Sequence, residues 1–212
     1  KIFILNSNGA PYSGWPTVIR FFQVNKGDHT PAIADLDGDG LYEILLMDSS
    51  VNWSIGKSEF HLNAYHLDGR QLAGFPKTYI LPYPGDGSGQ LPPGSMGVLM
   101  VNDLDKDGKS EIGWAIGNRM YLLDNRGNVL SGFPFVTPLF NGQTMIFTGP
   151  PVSGDIDGDG QLELFAIARK GGGGYLGTET QLYGWKKDGS LLTGWPNDSN
   201  SDGINWFDGS TF

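Results

Sequence analysis

At 212 residues the chain is long enough for one domain with a sizeable core, and its 39% hydrophobic and 12% aromatic content argues against disorder despite 33 Gly and 13 Pro. A formal charge of −9, with no Lys/Arg cluster to offset it, argues against a nucleic acid partner. Cysteine is absent, so disulfides and thiolate metal sites are excluded, and no run approaches the roughly 18 apolar residues that span a bilayer.

The opening residues turn polar too quickly for a signal peptide, and the chain reads as a mature or excised piece of something longer. Residues 1–15 hold an apolar strand, a turn at Asn8-Gly9 and the step Gly14-Trp15-Pro16. That step returns as Gly74-Phe75-Pro76, Gly132-Phe133-Pro134 and Gly194-Trp195-Pro196, with aromatic residues 60, 58 and 62 positions apart. A period near sixty is longer than helical solenoid repeats and fits a propeller blade with enlarged loops.

Within each period the apolar residues alternate in twos or form short runs, never a sustained helical pattern. The first repeat predicts strands at 31–34, 42–47, 60–67 and 71–75, with a tight turn at Asp68-Gly69. The second predicts 98–101, 111–116, 119–123 and 129–135; the third predicts 151–154, 162–168, 181–185 and 191–195. Four short strands make an antiparallel sheet that cannot bury both faces alone, so the copies must stack. The expected fold is all-β, with propeller-type repeats of four-stranded antiparallel blades in an incomplete propeller or fragment.

The expected organisation is a single repeat domain over 1–212. It comprises a partial blade and connector at 1–29, repeats at 30–94, 95–145 and 146–196, and a polar tail at 197–212. Three and a half repeats do not close a ring. Additional blades from the parent chain or another subunit are therefore expected.

Between the first two strands of every repeat lies an acidic loop: 35–43, 103–111 and 155–163. Each places carboxylates at relative positions one, three, five and nine, with glycine at six. Alternate side chains in such a tightly curling loop converge on one cation, and glycine permits the sharp turn. Position seven is Leu41, Lys109 or Gln161, so only its backbone carbonyl can serve as a common ligand. Hard oxygen donors select calcium over zinc or copper. The loops hold 12 of the 23 acidic residues, and three Ca2+ ions would move the formal charge from −9 to −3.

These loops, the Leu-Asp-Gly turns and the Gly-aromatic-Pro ends resemble the FG-GAP or VCBS calcium-binding repeats of integrin alpha-like β-propellers. The resemblance implies three calcium sites. The first would use Asp35, Asp37, Asp39, the Leu41 carbonyl and Glu43; the second Asp103, Asp105, Asp107, the Lys109 carbonyl and Glu111; the third Asp155, Asp157, Asp159, the Gln161 carbonyl and Glu163. It further implies an extracellular, periplasmic or cell-surface location.

The calcium loops and Asp-Gly turns should share one rim. The opposite rim receives the intervals 18–30, 48–59, 79–94, 136–148 and 169–180, which read as long irregular insertions suited to recognition. Trp53 there can stack on a sugar or pack against its own loop, and Tyr79 and Tyr83 can form an aromatic platform or pack beneath one. The glycine run at 171–174 lacks the Lys-Ser/Thr of a phosphate loop. His29, His61 and His66 have no zinc-ligand spacing, and no nucleophile elbow is present. The leading functional expectation is a noncatalytic adhesion or recognition scaffold for an extracellular protein or glycan. Part of a secreted polysaccharide-degrading enzyme and a purely structural module are the alternatives.

Overall fold

The computed structural model describes residues 3–16, 30–52, 57–82, 98–140, 142–172 and 175–198. All its regular elements are strands; no helix occurs among the described residues. The first antiparallel sheet contains β1 (Ala32–Ala34), β2 (Glu43–Asn52), β3 (Lys57–Tyr65) and β4 (Lys77–Pro82) in sequential order. The second contains β5 (Met100–Asn102), β6 (Glu111–Ile116), β7 (Arg119–Leu123) and β8 (Phe135–Val136), again in order. The third begins with a hairpin of β9 (Leu139–Phe140) and β10 (Gln143–Phe147), followed by β11 (Val152–Gly154), β12 (Glu163–Gly172), β13 (Tyr175–Trp185) and β14 (Asn197–Asp198). These are propeller-like blades, and among the described residues they do not close into a ring.

Fourth strands begin later than the sequence predicts. Gln71 makes only an isolated bridge to Tyr65, as Val129 does to Leu123 and Leu191 to Trp185. The chain then folds back on itself, with Phe75 N donating to the Leu72 carbonyl at 3.2 Å, so the ladder cannot run on. It rejoins the sheet only after the Gly-aromatic-Pro step, whose four X-Pro bonds are all cis. Residues 4–15 repeat this arrangement: Leu5 bridges Pro11, Tyr12 N donates to the Ile4 carbonyl and Trp15 N to the Tyr12 carbonyl.

Of the intervals read as irregular insertions, 18–29 and 83–94 lie outside the described residues, and the described parts of the others are largely strand. β2 and β3 pair continuously from Ile44↔Tyr65 to Asn52↔Lys57, carrying the hairpin through most of 48–59. β12 and β13 likewise extend through 169–172 and 175–180, with a register shift between Arg169 and Gly171. β10 pairs with the far half of β12 while β11 pairs with its near half, so the first strand of the third blade is broken in two. The expected repeat boundary at 145/146 therefore falls inside β10. β14 lies at the start of the expected polar tail and pairs with β13.

Period-two alternation buries the middle blade on both faces. Ile112, Trp114 and Ile116 of β6, with Tyr121 and Leu123 of β7, pack against Leu45, Met47, Phe60 and Leu62 of the first blade. The intervening Ala115, Met120 and Leu122 pack against Phe147, Leu164, Ala166, Tyr183 and Trp185 of the third. All six residues of β6 are accordingly buried. Aromatic stacks fill each seam: Trp114 lies over Tyr121 with centroids 5.0 Å apart, and Tyr183 over Trp185 at 5.6 Å.

Candidate metal centres

The acidic loops connect β1 to β2, β5 to β6 and β11 to β12. In each, the first carboxylate accepts backbone N–H bonds that curl the loop around it. Asp35 Oδ1 accepts from Gly38 at 2.8 Å and Asp39 at 3.1 Å, and its Oδ2 from Gly40 at 2.9 Å. Asp103 accepts from Asp107 at 3.0 Å and Gly108 at 2.8 Å; Asp155 accepts from Gly158 at 2.7 Å and Gly160 at 3.0 Å. The position-five carboxylates of Asp39, Asp107 and Asp159 each accept the position-seven N–H at 2.8 Å.

The ninth residue closes the loop from the start of the second strand. Glu43, Glu111 and Glu163 are 0%, 3% and 2% exposed, too buried to be solvated surface acids. Their Oε2 atoms accept from the position-two N–H groups of Leu36 at 3.0 Å, Leu104 at 2.9 Å and Ile156 at 3.0 Å. Position two also plugs the seams: Leu36 is buried in the first core and Leu104 in the second. Ile156 is exposed, since no blade covers it among the described residues.

Three oxygen groups result: Asp35, Asp37 and Asp39; Asp103, Asp105 and Glu111; Asp155, Asp157 and Glu163. Within each group, one oxygen per residue lies within 4.8 Å of the others. Ligands about 2.3–2.6 Å from a shared Ca2+ lie up to roughly 5 Å apart, so this donor set fits the ion. Glu43, Asp107 and Asp159 are outside these groups of side-chain oxygens. Burial pushes the Glu43 carboxyl above the usual range; the Leu36 N–H opposes this, Asp37 and Asp39 add to it, and His66 opposes it. Its Oε1 is buried with no hydrogen-bond partner and lies 3.3 Å from His66 Nδ1.

Consecutive loops touch. Ser110 Oγ of the second donates to the Asp35 carbonyl of the first at 2.9 Å, and Leu162 N of the third donates to the Leu104 carbonyl of the second at 2.8 Å. Residues 103–166 match the family model of the FG-GAP-like repeat. The match begins on the first residue of the second loop and runs past the third, so this FG-GAP-type segment contains two of the three oxygen groups. The first loop lies outside it yet has the same hydrogen-bond pattern at positions one, five and nine. No curated protein and no solved structure gives a significant match.

Position four is a feature the spacing argument passed over. Gly38 and Gly158 hold φ of 81° and 78° there, and Lys106 is forced to 59° in the second FG-GAP-like loop. Glycine at this position in two of the three loops was the available signal. The aromatic candidates divide differently. Tyr79 lies on β4 with its ring 5.6 Å from Trp114 and 6.4 Å from Tyr121, so it lines a blade seam. Trp53 and Tyr83 lie outside the described residues, as does His29. His61 Nδ1 is 3.1 Å from Thr78 Oγ1 on the neighbouring strand.

Proposed function

We propose that the chain is a calcium-braced, noncatalytic recognition module that works outside the cell. The observation carrying this reading is the recurrence of three oxygen groups, one per blade, at the loops where successive blades meet. Asp35, Asp37, Asp39 and Glu43 would hold the first ion, Asp103, Asp105, Asp107 and Glu111 the second, and Asp155, Asp157, Asp159 and Glu163 the third. The position-seven carbonyls of Leu41, Lys109 and Gln161 would complete the sets. Bound calcium supplies fixed positive charge that offsets carboxylates crowded into a tight loop, and it stabilises the folded state by preferential binding. The FG-GAP-like segment supports an adhesion or recognition role.

The long β2–β3 and β12–β13 hairpins extend away from the acidic loops and form the end we assign to a protein or glycan partner. The test has two parts. After chelation, calcium titrated into the chain should release heat and raise the melting temperature; equal melting temperatures with verified metal removal would end the calcium reading. Arrays of glycans and extracellular proteins, probed under calcium saturation, should yield a partner whose binding is lost on shortening the β2–β3 hairpin. A partner that still binds the shortened chain would place recognition elsewhere.

A further inference from the structure

The three loops meet different basic groups. His66 approaches Glu43 in the first blade, and Lys186 lies 4.0 Å from Asp157 in the third. These two residues occupy the same place in their hairpin turns, each donating its N–H to the residue four positions on. The second blade has Asp124 there, an acid whose carboxylate accepts from Arg126 N, Asn128 N and Asn128 Nδ2 within its own turn. The cation for the second loop comes instead from the next blade. Lys187 Nζ donates to Asp105 Oδ2 at 2.5 Å and to Glu111 Oε1 at 2.9 Å.

We infer that Lys187 is a tethered counter-ion of the second acidic loop, joining the second and third blades without metal and making that loop the weakest calcium site of the three. The inference rests on the calcium reading above and concerns how the ions are ranked. Lys187 engages two of the three residues whose oxygens form the second group, so an ion bound there must displace its ammonium or share its acceptors. The loop's own composition acts in the same direction. All three nine-residue loops carry four carboxylates, but only the second carries lysines, Lys106 and Lys109, reducing its formal charge from −4 to −2. Calcium affinity in such loops follows ligand charge and site rigidity. Lys187 is three-quarters buried and Glu111 almost fully so, so solvent screens their bond less than a surface pair. Charge-assisted bonds of this kind must break before the oxygens can turn to a cation.

The experiment counts ions bound to the chelated chain by native mass spectrometry and ranks them by calorimetric titration with calcium. Two ions should bind together and a third at least about ten-fold more weakly. Lys187→Met should narrow that gap, with Lys106 and Lys109 still keeping the third the weakest. Asp105→Asn, which needs no change to the third blade, should remove the weak phase alone. Amine labelling gives a readout independent of affinity: without calcium Lys187 should react more slowly than its neighbour Lys186, and filling the second loop's site should speed its reaction. Three equivalent sites unchanged by Lys187→Met, or a Lys187 amine as reactive as Lys186 in chelator, would overturn the inference while leaving the calcium reading intact. If neither wild type nor variant binds any ion, the calcium reading and the ranking both fail, and slow labelling would still identify the blade-to-blade clamp.

Discussion

The Tyr79 hydroxyl, on the last strand of the first blade, donates to the Gly127 carbonyl in the hairpin turn of the second at 2.7 Å. The ring beneath it packs on Trp114 and Tyr121, so a single side chain supplies both apolar and polar contact across the seam. Tyr79→Phe keeps the ring and should lower stability by about 1 kcal/mol, the usual net contribution of one hydrogen bond. Tyr79→Ala also opens the aromatic stack and should cost about 2–4 kcal/mol. Urea denaturation of the two variants checks the ranking; equal losses would mean that the ring contributes nothing.

The Gly-aromatic-Pro glycines separate backbone strain from close packing. Gly74 and Gly132 both have positive φ, 88° and 85°. A Cβ at Gly74 meets nothing within 4 Å, whereas one at Gly132 would stand 2.3 Å from the Asp188 carbonyl oxygen of the next blade. Gly74→Ala should therefore lose only about 1–2 kcal/mol for the left-handed backbone. Gly132→Ala must also push the Asp188-Gly189 turn away, and its melting temperature should fall well below that of Gly74→Ala. Identical midpoints would show that the turn yields freely.

Local chemistry made the acidic loops legible. Carboxylates at one, three, five and nine, glycine at six and Asp-Gly in the turns each act within a few residues, so spacing alone located them. Fourth strands were misplaced for a physical reason. Leu72 and Phe75 are buried like strand residues, but they sit in a fold-back held by the bond from Phe75 N to the Leu72 carbonyl. β10 was overlooked because 136–148 reads as an irregular insertion and its pairing partner, the far half of β12, lies more than twenty residues away. The contact between Lys187 and Asp105 spans 82 positions, and no local pattern announces it.

Glu43 offers a substitution whose effect should change sign with the metal. Its carboxylate is fully buried and pushed toward the neutral acid by burial. Gln in its place can still accept the Leu36 N–H while removing the buried charge. In chelator, Glu43→Gln should thus be within about 1 kcal/mol of wild type or more stable. In saturating calcium it should be less stable than wild type, because an anionic ligand is gone. Thermal melts in the two conditions decide it; a loss of equal size in both would mean that Glu43 acts only as a structural acceptor.

Alkaline pH should unfold the blades through their tyrosines. Burial pushes the Tyr183 phenol from 10.0 up to about 12, and it raises Tyr79 and Tyr121 as well, with Asp124 adding to the effect at Tyr79 and Arg119 opposing it at Tyr121. The Tyr183 hydroxyl donates to Gln181 Oε1 at 2.6 Å, a bond the phenolate cannot make. A raised folded-state value means the native protein holds the proton more tightly than the unfolded chain. The corresponding stability is complete below pH 10 and is lost as pH rises through about 12. For Tyr183 alone the loss is roughly 3 kcal/mol, at about 1.4 kcal/mol for each of two pH units. Tyrosinate absorbance should therefore rise late and in step with loss of the β-sheet circular dichroism signal. Tyr183→Phe should flatten the decline, since it removes the titrating group and leaves the ring stacked on Trp185. Early, gradual ionisation with the sheet signal intact would mean that the seams admit hydroxide without opening.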